Sequence, residues 1–238
     1  MKKYITSFFV IALTAISTNA FAGGATEFEK QDWAFSDFRG HWDKATLTRG
    51  LQVATEVCMS CHSLKFTPPR ALQDVGFSET EVKGIAADLG IKVTEVMQSA
   101  MSDADAKEFY GKELPDLSLI NRARLGGADY VYAILTKYED EVPVTMDMDL
   151  PEGAYFNHAF AGHAIAMPPP LSDGQVKYAD GTEATTEQMA KDVTYFLEWT
   201  SKPELKRSQH LGVYVLLYLA IMAALLYMLK RRIWKKVH

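Results

Sequence analysis

Cysteine is almost absent: the 238 residues contain two, Cys58 and Cys61. Both sit in one short motif, so no pair is left over for a structural disulfide and stability has to come from packing. A zinc site built on them lacks two further ligands at comparable spacing. A thioredoxin-like dithiol would need a βαβ context that the flanks do not supply. Acidic residues are also missing, but from one end only. After Glu204 there are seven Lys and Arg and no Asp or Glu, whereas Gly23 to Leu205 holds 16 Lys and Arg against 30 Asp and Glu. The overall net charge of -5 therefore conceals two ends that face different surroundings. A domain so acidic is not expected to bind nucleic acid.

What is present at the cysteines is Cys58-Met59-Ser60-Cys61-His62. This C-x-x-C-H pattern is the attachment signature of a c-type haem: two thiols spaced to add across two porphyrin vinyl groups, with an adjacent imidazole for the iron. The compartment agrees. Met1-Lys2-Lys3, an apolar run from Ile5 to Ile16 and Ala20-Phe21-Ala22 read as a secretory signal peptide, residues 1–22, cleaved before Gly23. An uncleaved anchor is the alternative, disfavoured by Thr6, Ser7, Thr14, Ser17 and Thr18, which dilute the run.

Residues Glu27 to Trp42 carry five aromatic rings without a clean period and suggest an irregular arm over a core. Leu47, Leu51, Ala54 and Val57 then fall at helical spacing, which predicts a helix that delivers the motif at its end. Lys65 to Pro69 stops it, because proline lacks an amide donor. A second helical stretch is expected from Glu79 to Ser99, with Gly84 and Gly90 as weak points, and a third from Ala128 to Tyr138 with Tyr130, Ile134 and Leu135 on one side. Thr185-Thr186-Glu187-Gln188 resembles a capping box opening a helix through Ser201. Leu211 to Leu229 is nineteen residues without charge, about 28 Å as a helix, which matches a bilayer core. Lys230-Arg231-Arg232 follows at once, so the positive-inside rule places that tail in the cytoplasm and the rest outside. A buried soluble helix is the alternative reading of the span.

A haem of this kind needs a sixth ligand and donors for its propionates. Met167, stiffened by Pro168-Pro169-Pro170, is a candidate, because Met/His coordination suits electron transfer. His163, His158, Met146, Met148 and Met189 compete, and most methionines are core fillers. Arg122, Arg124 and Tyr130 are candidate propionate partners, Arg for its planar fork. A solvated arginine and a core tyrosine are the plain alternatives.

At this point the residues resemble a known family, cytochrome c1, the haem-bearing subunit of ubiquinol:cytochrome c oxidoreductase (respiratory complex III). The segments that carry the resemblance include Arg49-Gly50-Leu51-Gln52-Val53, Cys58 to Ser63, Pro115-Asp116-Leu117-Ser118, Arg122-Ala123-Arg124 with Gly126-Gly127, and Asp129-Tyr130-Val131. Further on they include Tyr155-Phe156-Asn157, Ile165 to Leu171, Ala190-Lys191-Asp192-Val193, Pro203-Glu204 and the tail helix with Lys230-Arg231. The resemblance implies one covalent haem c per chain, with thioethers at Cys58 and Cys61, axial ligands His62 and Met167, and propionate contacts at Arg124 and Tyr130. Two positions depart from the family pattern. Pro69 precedes Arg70 where a tyrosine is frequent, and His163 stands where glutamine is common.

The expected architecture is mainly α: a class I cytochrome c-like haem domain, residues 23–205, in the periplasm, and a single C-terminal transmembrane helix with a short basic tail, residues 206–238. The expected place is the bacterial inner membrane. The resemblance further implies an electron-transfer subunit of the cytochrome bc1 complex, beside cytochrome b, that takes one electron from the Rieske iron-sulfur protein and passes it to a cytochrome c. The acidic face suits a basic acceptor. No catalysis is expected from the lone chain. Two rivals are a membrane-tethered cytochrome c serving a terminal oxidase and a c-type haem peroxidase, the latter needing an exchangeable sixth position and commonly a second C-x-x-C-H.

Overall fold

A computed structural model describes residues 28–37, 41–146 and 148–235. The expected signal peptide lies outside the described residues. Seven α-helices and three short strands are present among them: α1 (Lys44–Glu56), α2 (Glu79–Asp88), α3 (Asp103–Tyr110), α4 (Ile120–Ala123), α5 (Ala128–Thr136), β1 (Tyr138–Glu139), β2 (Tyr155–Asn157), β3 (Ala164–Ile165), α6 (Thr186–Ser201) and α7 (Leu205–Trp234). The strands form one antiparallel sheet in the order β1-β2-β3. The fold is mainly helical, as the periodicities predict.

The helix ends are written in local chemistry. Asp43 opens α1 by accepting the Thr46 amide at 2.8 Å, and Thr185 opens α6 by accepting that of Gln188 at 3.1 Å, each satisfying one orphan donor of a first turn. Ser78 with Glu81 and Ser102 with Asp105 form capping boxes at α2 and α3. The expected helix over Glu79–Ser99 is only half right. It ends at Asp88, because Gly90 takes a positive φ of 67° that a helix cannot continue through, and the rest runs as turns. The third expected helix stops at Thr136, so Tyr138 belongs to β1.

The most extensive packing is α1 on α6, with α5 also laid against α6. Leu47, Val53, Met189, Val193, Phe196 and Trp199 are fully buried there, each stabilising the fold by about 1.5–3 kcal/mol through loss of apolar surface. At Gly50 the two helices lie in close contact. A Cβ on Gly50 would lie 2.1 Å from the Asp192 carbonyl oxygen and 2.7 Å from the Phe196 Cβ. The preceding residue, Arg49, grips the buried Asp192 carboxylate through Nε (2.9 Å) and Nη2 (3.1 Å) and reaches Asp180 through Nη1 (2.8 Å). Because the clash partner is backbone, it cannot rotate away. Gly50→Ala is therefore expected to cost about 3 kcal/mol or more and to lower Tm by roughly 6–12 °C, as read by circular dichroism on the detergent-solubilised chain.

The arm behaves as the aromatic content suggests. Trp33, Phe35 and Trp42 are buried, with Phe35 and Trp42 packed on Tyr195 of α6 at 5.6 and 5.4 Å between ring centroids. The Trp33 indole N–H donates to Asp129 Oδ1 at 2.6 Å and pins the arm to α5. Below this body α7 runs 30 residues with a mean hydropathy of 2.3 in its most apolar window, none of which is buried. At about 1.5 Å per residue it exceeds a hydrocarbon core of ~30 Å. It is a single membrane anchor, and Lys206 ties its base to the arm by donating to the Phe35 and Asp37 carbonyls at 3.0 and 2.9 Å.

Candidate haem site

The motif begins where α1 ends. After Val57 the chain tightens into a 3₁₀ turn, Cys58–Ser60. The Cys58 carbonyl accepts from both the Cys61 amide (3.1 Å) and the His62 amide (2.8 Å). One tight turn thus carries Cys58, Cys61 and His62 to the wall of the same cavity, while Met59 between them is buried in the core.

The turn is braced by segments whose role was illegible in the sequence. The Ala100 and Met101 amides donate to the Met59 and Ser60 carbonyls at 2.8 and 3.1 Å, and the Ser99 amide to Ser63 Oγ at 2.9 Å. Ser99, Ala100 and Met101 are therefore a buttress of the motif. Pro115-Asp116-Leu117-Ser118 is its strap. Asp116 Oδ2 accepts the Lys65 amide (2.8 Å), Ser118 Oγ accepts the Phe66 amide (3.0 Å), and the Leu117 amide donates to the Ser63 carbonyl (2.9 Å). The strap also fixes the imidazole. His62 Nδ1 lies 2.8 Å from the Pro115 carbonyl oxygen. A carbonyl can only accept, so Nδ1 carries the proton and Nε2 keeps its lone pair, as a metal ligand must. Burial disfavours the imidazolium and lowers the His62 pKa, which keeps the ring neutral.

Burial also pushes the Cys58 thiol up to about 12. A redox dithiol needs the reverse, a depressed pKa that yields thiolate, so the thioredoxin-like reading loses support. The zinc reading fares no better: among the described residues no three His, Cys, Asp or Glu side chains gather to hold a metal ion.

The cavity that these residues line measures about 720 Å³, within the range of about 300–1,000 Å³ typical of organic ligand sites. Its walls are mostly apolar. Val57 comes from the end of α1, Val131, Ile134 and Leu135 from α5, Val193 and Leu197 from α6, and Ile165 from β3. Met167, Pro168 and Pro170 supply the loop side, and Arg124 and Tyr130 also line it. The structure thus brings Cys58, Cys61, His62, Met167, Arg124 and Tyr130 together around one space.

The competing ligands are placed elsewhere. None of His163, His158, Met146, Met148 and Met189 lines the cavity. His163 adopts a left-handed backbone (φ 58°), and its ring stacks on Phe156 at 5.6 Å with its Nδ1 3.3 Å from the Asn157 carbonyl. His158 Nε2 pairs with Glu139 at 2.9 Å, and Met189 is fully buried in α6. Arg122 is likewise off the wall. Arg124 is exposed and extended just after α4; its carbonyl accepts the Gly127 amide at 3.1 Å, while its guanidinium makes no hydrogen bond or ion pair among the described residues. Burial raises the Tyr130 pKa and the nearby Arg124 charge offsets part of the rise, which places the two groups within electrostatic reach of each other. Behind them Gly126 (φ 89°) lies directly under the Phe28 ring, which packs edge-on to Tyr130 at 5.8 Å. A side chain at Gly126 would displace that ring.

These residues fit a haem: an apolar cavity of the right scale, two thiols and a neutral imidazole on one turn, a thioether on the far segment of chain, and an unpaired guanidinium with a phenol beside it. Tyr110, Lys112 and Gln175 also face the cavity and were not anticipated. They come from loops and the end of α3, and no periodicity marks such positions.

A family model described as the Cytochrome C1 family matches residues 33–237. The chain is 37% identical over 244 residues to cytochrome c1 of Rhodospirillum rubrum, covering 90% of each protein. It is 32% identical over 277 residues to cytochrome c1 of Cereibacter sphaeroides, covering 95% of this chain and 96% of that one. It is 37% identical over 244 residues to cytochrome b/c1 of Bradyrhizobium diazoefficiens, covering 87% of this chain and 35% of that longer protein. Motif, cavity and comparisons agree, and the chain belongs to the cytochrome c1 family.

Proposed function

We propose that the chain is the electron-transfer subunit of a bc1-type complex and carries one haem c, bound covalently through Cys58 and Cys61. The observation that carries this reading is the single cavity onto which one turn delivers both thiols and the His62 imidazole. When bound, haem c supplies a one-electron centre that returns to its starting state after each transfer. The protein's own groups do the rest. His62, whose Nδ1 is held by the Pro115 carbonyl, would hold the haem iron through Nε2, and Met167 would hold it through a soft thioether, a ligand pair that would favour a high potential and leave no open position for peroxidase chemistry. Arg124 and Tyr130 offer donors to the propionates, and the aliphatic walls from α5 and α6 exclude water.

The partners follow from membership of the family: the Rieske iron-sulfur protein as donor, a cytochrome c as acceptor and cytochrome b as the neighbour in the membrane. The relative named cytochrome b/c1 supports the last, since its name couples the two. The excess of acid in residues 23–205 suits a basic acceptor and speeds encounter. We assign residues 1–22 to a signal peptide, 23–205 to a periplasmic haem domain, and 206–238 to the anchor of a bacterial inner-membrane protein, with Lys230, Arg231, Arg232 and Lys235 on the cytoplasmic side.

The test is copurification with a pyridine haemochrome assay on detergent-solubilised membranes. The expected result is haem c in one-to-one ratio with the chain, accompanied by cytochrome b and an iron-sulfur subunit. Recovery with a terminal oxidase and no cytochrome b would instead identify a tethered cytochrome c.

A further inference from the structure

The segment Met167–Leu171 includes three consecutive prolines, Pro168, Pro169 and Pro170. They have no backbone N–H, so this stretch can be tied to the rest of the fold mainly through its carbonyl groups. Among the described residues one hydrogen bond from a side chain reaches it: the Tyr138 hydroxyl donates to the Met167 carbonyl oxygen at 3.0 Å. The geometry around this bond is closed on the other side as well. Tyr138 is paired in β1 with Asn157 of β2, and β2 holds Ile165 of β3 opposite Tyr155. The chain enters Met167 from a sheet that includes Tyr138, and Tyr138 then reaches across to the residue two positions beyond that sheet. Tyr138 itself follows directly on α5, whose Val131, Ile134 and Leu135 form the cavity wall.

We infer that Tyr138 is a positioning residue for the sixth-ligand position: its hydroxyl holds the backbone of Met167 in place and so sets how often the thioether leaves the cavity. The inference rests on the reading of Met167 as ligand. Its physical basis is that proline stiffness fixes the internal shape of the segment, while stiffness alone does not anchor the segment to the wall. Removing the hydroxyl takes away the one side-chain donor and leaves a partly buried carbonyl without a protein partner. A typical net hydrogen bond corresponds to about a two- to tenfold change in population. An external ligand that competes for the iron gains apparent affinity in proportion to the population of the open loop.

The experiment titrates imidazole into the ferric, haem-loaded, detergent-solubilised full chain, and follows the near-infrared sulfur-to-iron charge-transfer band with temperature. Tyr138→Phe keeps the ring and should bind imidazole on the order of fivefold more tightly than the unaltered chain, with the band fading at lower temperature. Tyr138→Leu reads the same quantity should Tyr138→Phe not accumulate. Tyr132→Phe is the control, a tyrosine of α5 whose ring lies against Trp33 at 6.2 Å and does not line the cavity. It should leave imidazole binding unchanged. If Tyr138→Phe stayed within twofold of the unaltered chain while Met167→Leu bound imidazole strongly, the role of Tyr138 would be overturned and Met167 would remain the ligand. An equal rise in Tyr132→Phe would likewise overturn it, by showing general loosening. Retention of the band in Met167→Leu, with imidazole binding unchanged, would remove the ligand assignment and this inference together.

Discussion

Replacing both thiols, Cys58→Ala with Cys61→Ala, is expected to abolish haem staining of the chain on a denaturing gel, and each single replacement to leave at most one thioether. The expectation follows from composition and geometry together. No other cysteine exists to substitute, and both thiols lie on the cavity wall beside His62. The axial bonds and the apolar walls do not survive denaturation, so covalent attachment is the only linkage that the gel can report. Loss of the haem also leaves a cavity of about 720 Å³ with aliphatic walls, and unfilled apolar space of that kind destabilises a core. The double variant should therefore be cleaved faster by protease at fixed temperature. Haem staining that persisted in the double variant would falsify the assignment of the site.

The second large effect is expected at Met167. Met167→Leu should eliminate the near-infrared charge-transfer band and lower the midpoint potential, because a soft sulfur ligand stabilises ferrous iron. Axial-ligand identity spans roughly 0.8 V across haem proteins, so the fall should be on the order of a hundred millivolts or more. His163→Gln is the informative companion. His163 stacks on Phe156 away from the cavity, so its replacement should keep both the band and the potential. The reverse pattern, with low-spin character lost in His163→Gln and retained in Met167→Leu, would establish bis-histidine ligation. A Rieske centre of high potential would then be an implausible donor.

Much of this molecule follows from local chemistry and could be read without coordinates. The Cys58 to His62 motif, the helical spacing of Leu47, Leu51 and Ala54, the cap at Thr185 and the uncharged run Leu211–Leu229 each express an interaction among residues close in the chain. The caps at Ser78 and Ser102 are equally local, each a serine followed three residues on by an acid: the first opens α2 at Glu79, where the sequence places its start, and the second opens α3. The helix expected over Glu79–Ser99 ends at Asp88, at the weak point Gly90, because a left-handed glycine ends a helix whatever the pattern beyond it.

The sequence by itself determined the haem-attachment motif, the helical class and the long apolar C-terminal helix, because each depends on residue type and short-range spacing. It left the sixth ligand open between Met167 and His163, four residues apart on one loop, and gave residues 79–110 no role. Only the tertiary structure shows that Met167 lines the cavity while His163 does not, and that Ser99, Ala100 and Met101 brace the motif. Which of two neighbouring side chains faces the cavity depends on a left-handed backbone at His163, a stack on Phe156 and a hydrogen bond from Tyr138, 29 residues earlier. The bracing of the motif by Ser99, Ala100 and Pro115 likewise joins segments tens of residues apart. Such contacts arise when separate pieces of chain close around a common space, and no local pattern encodes which carbonyl a distant donor will find.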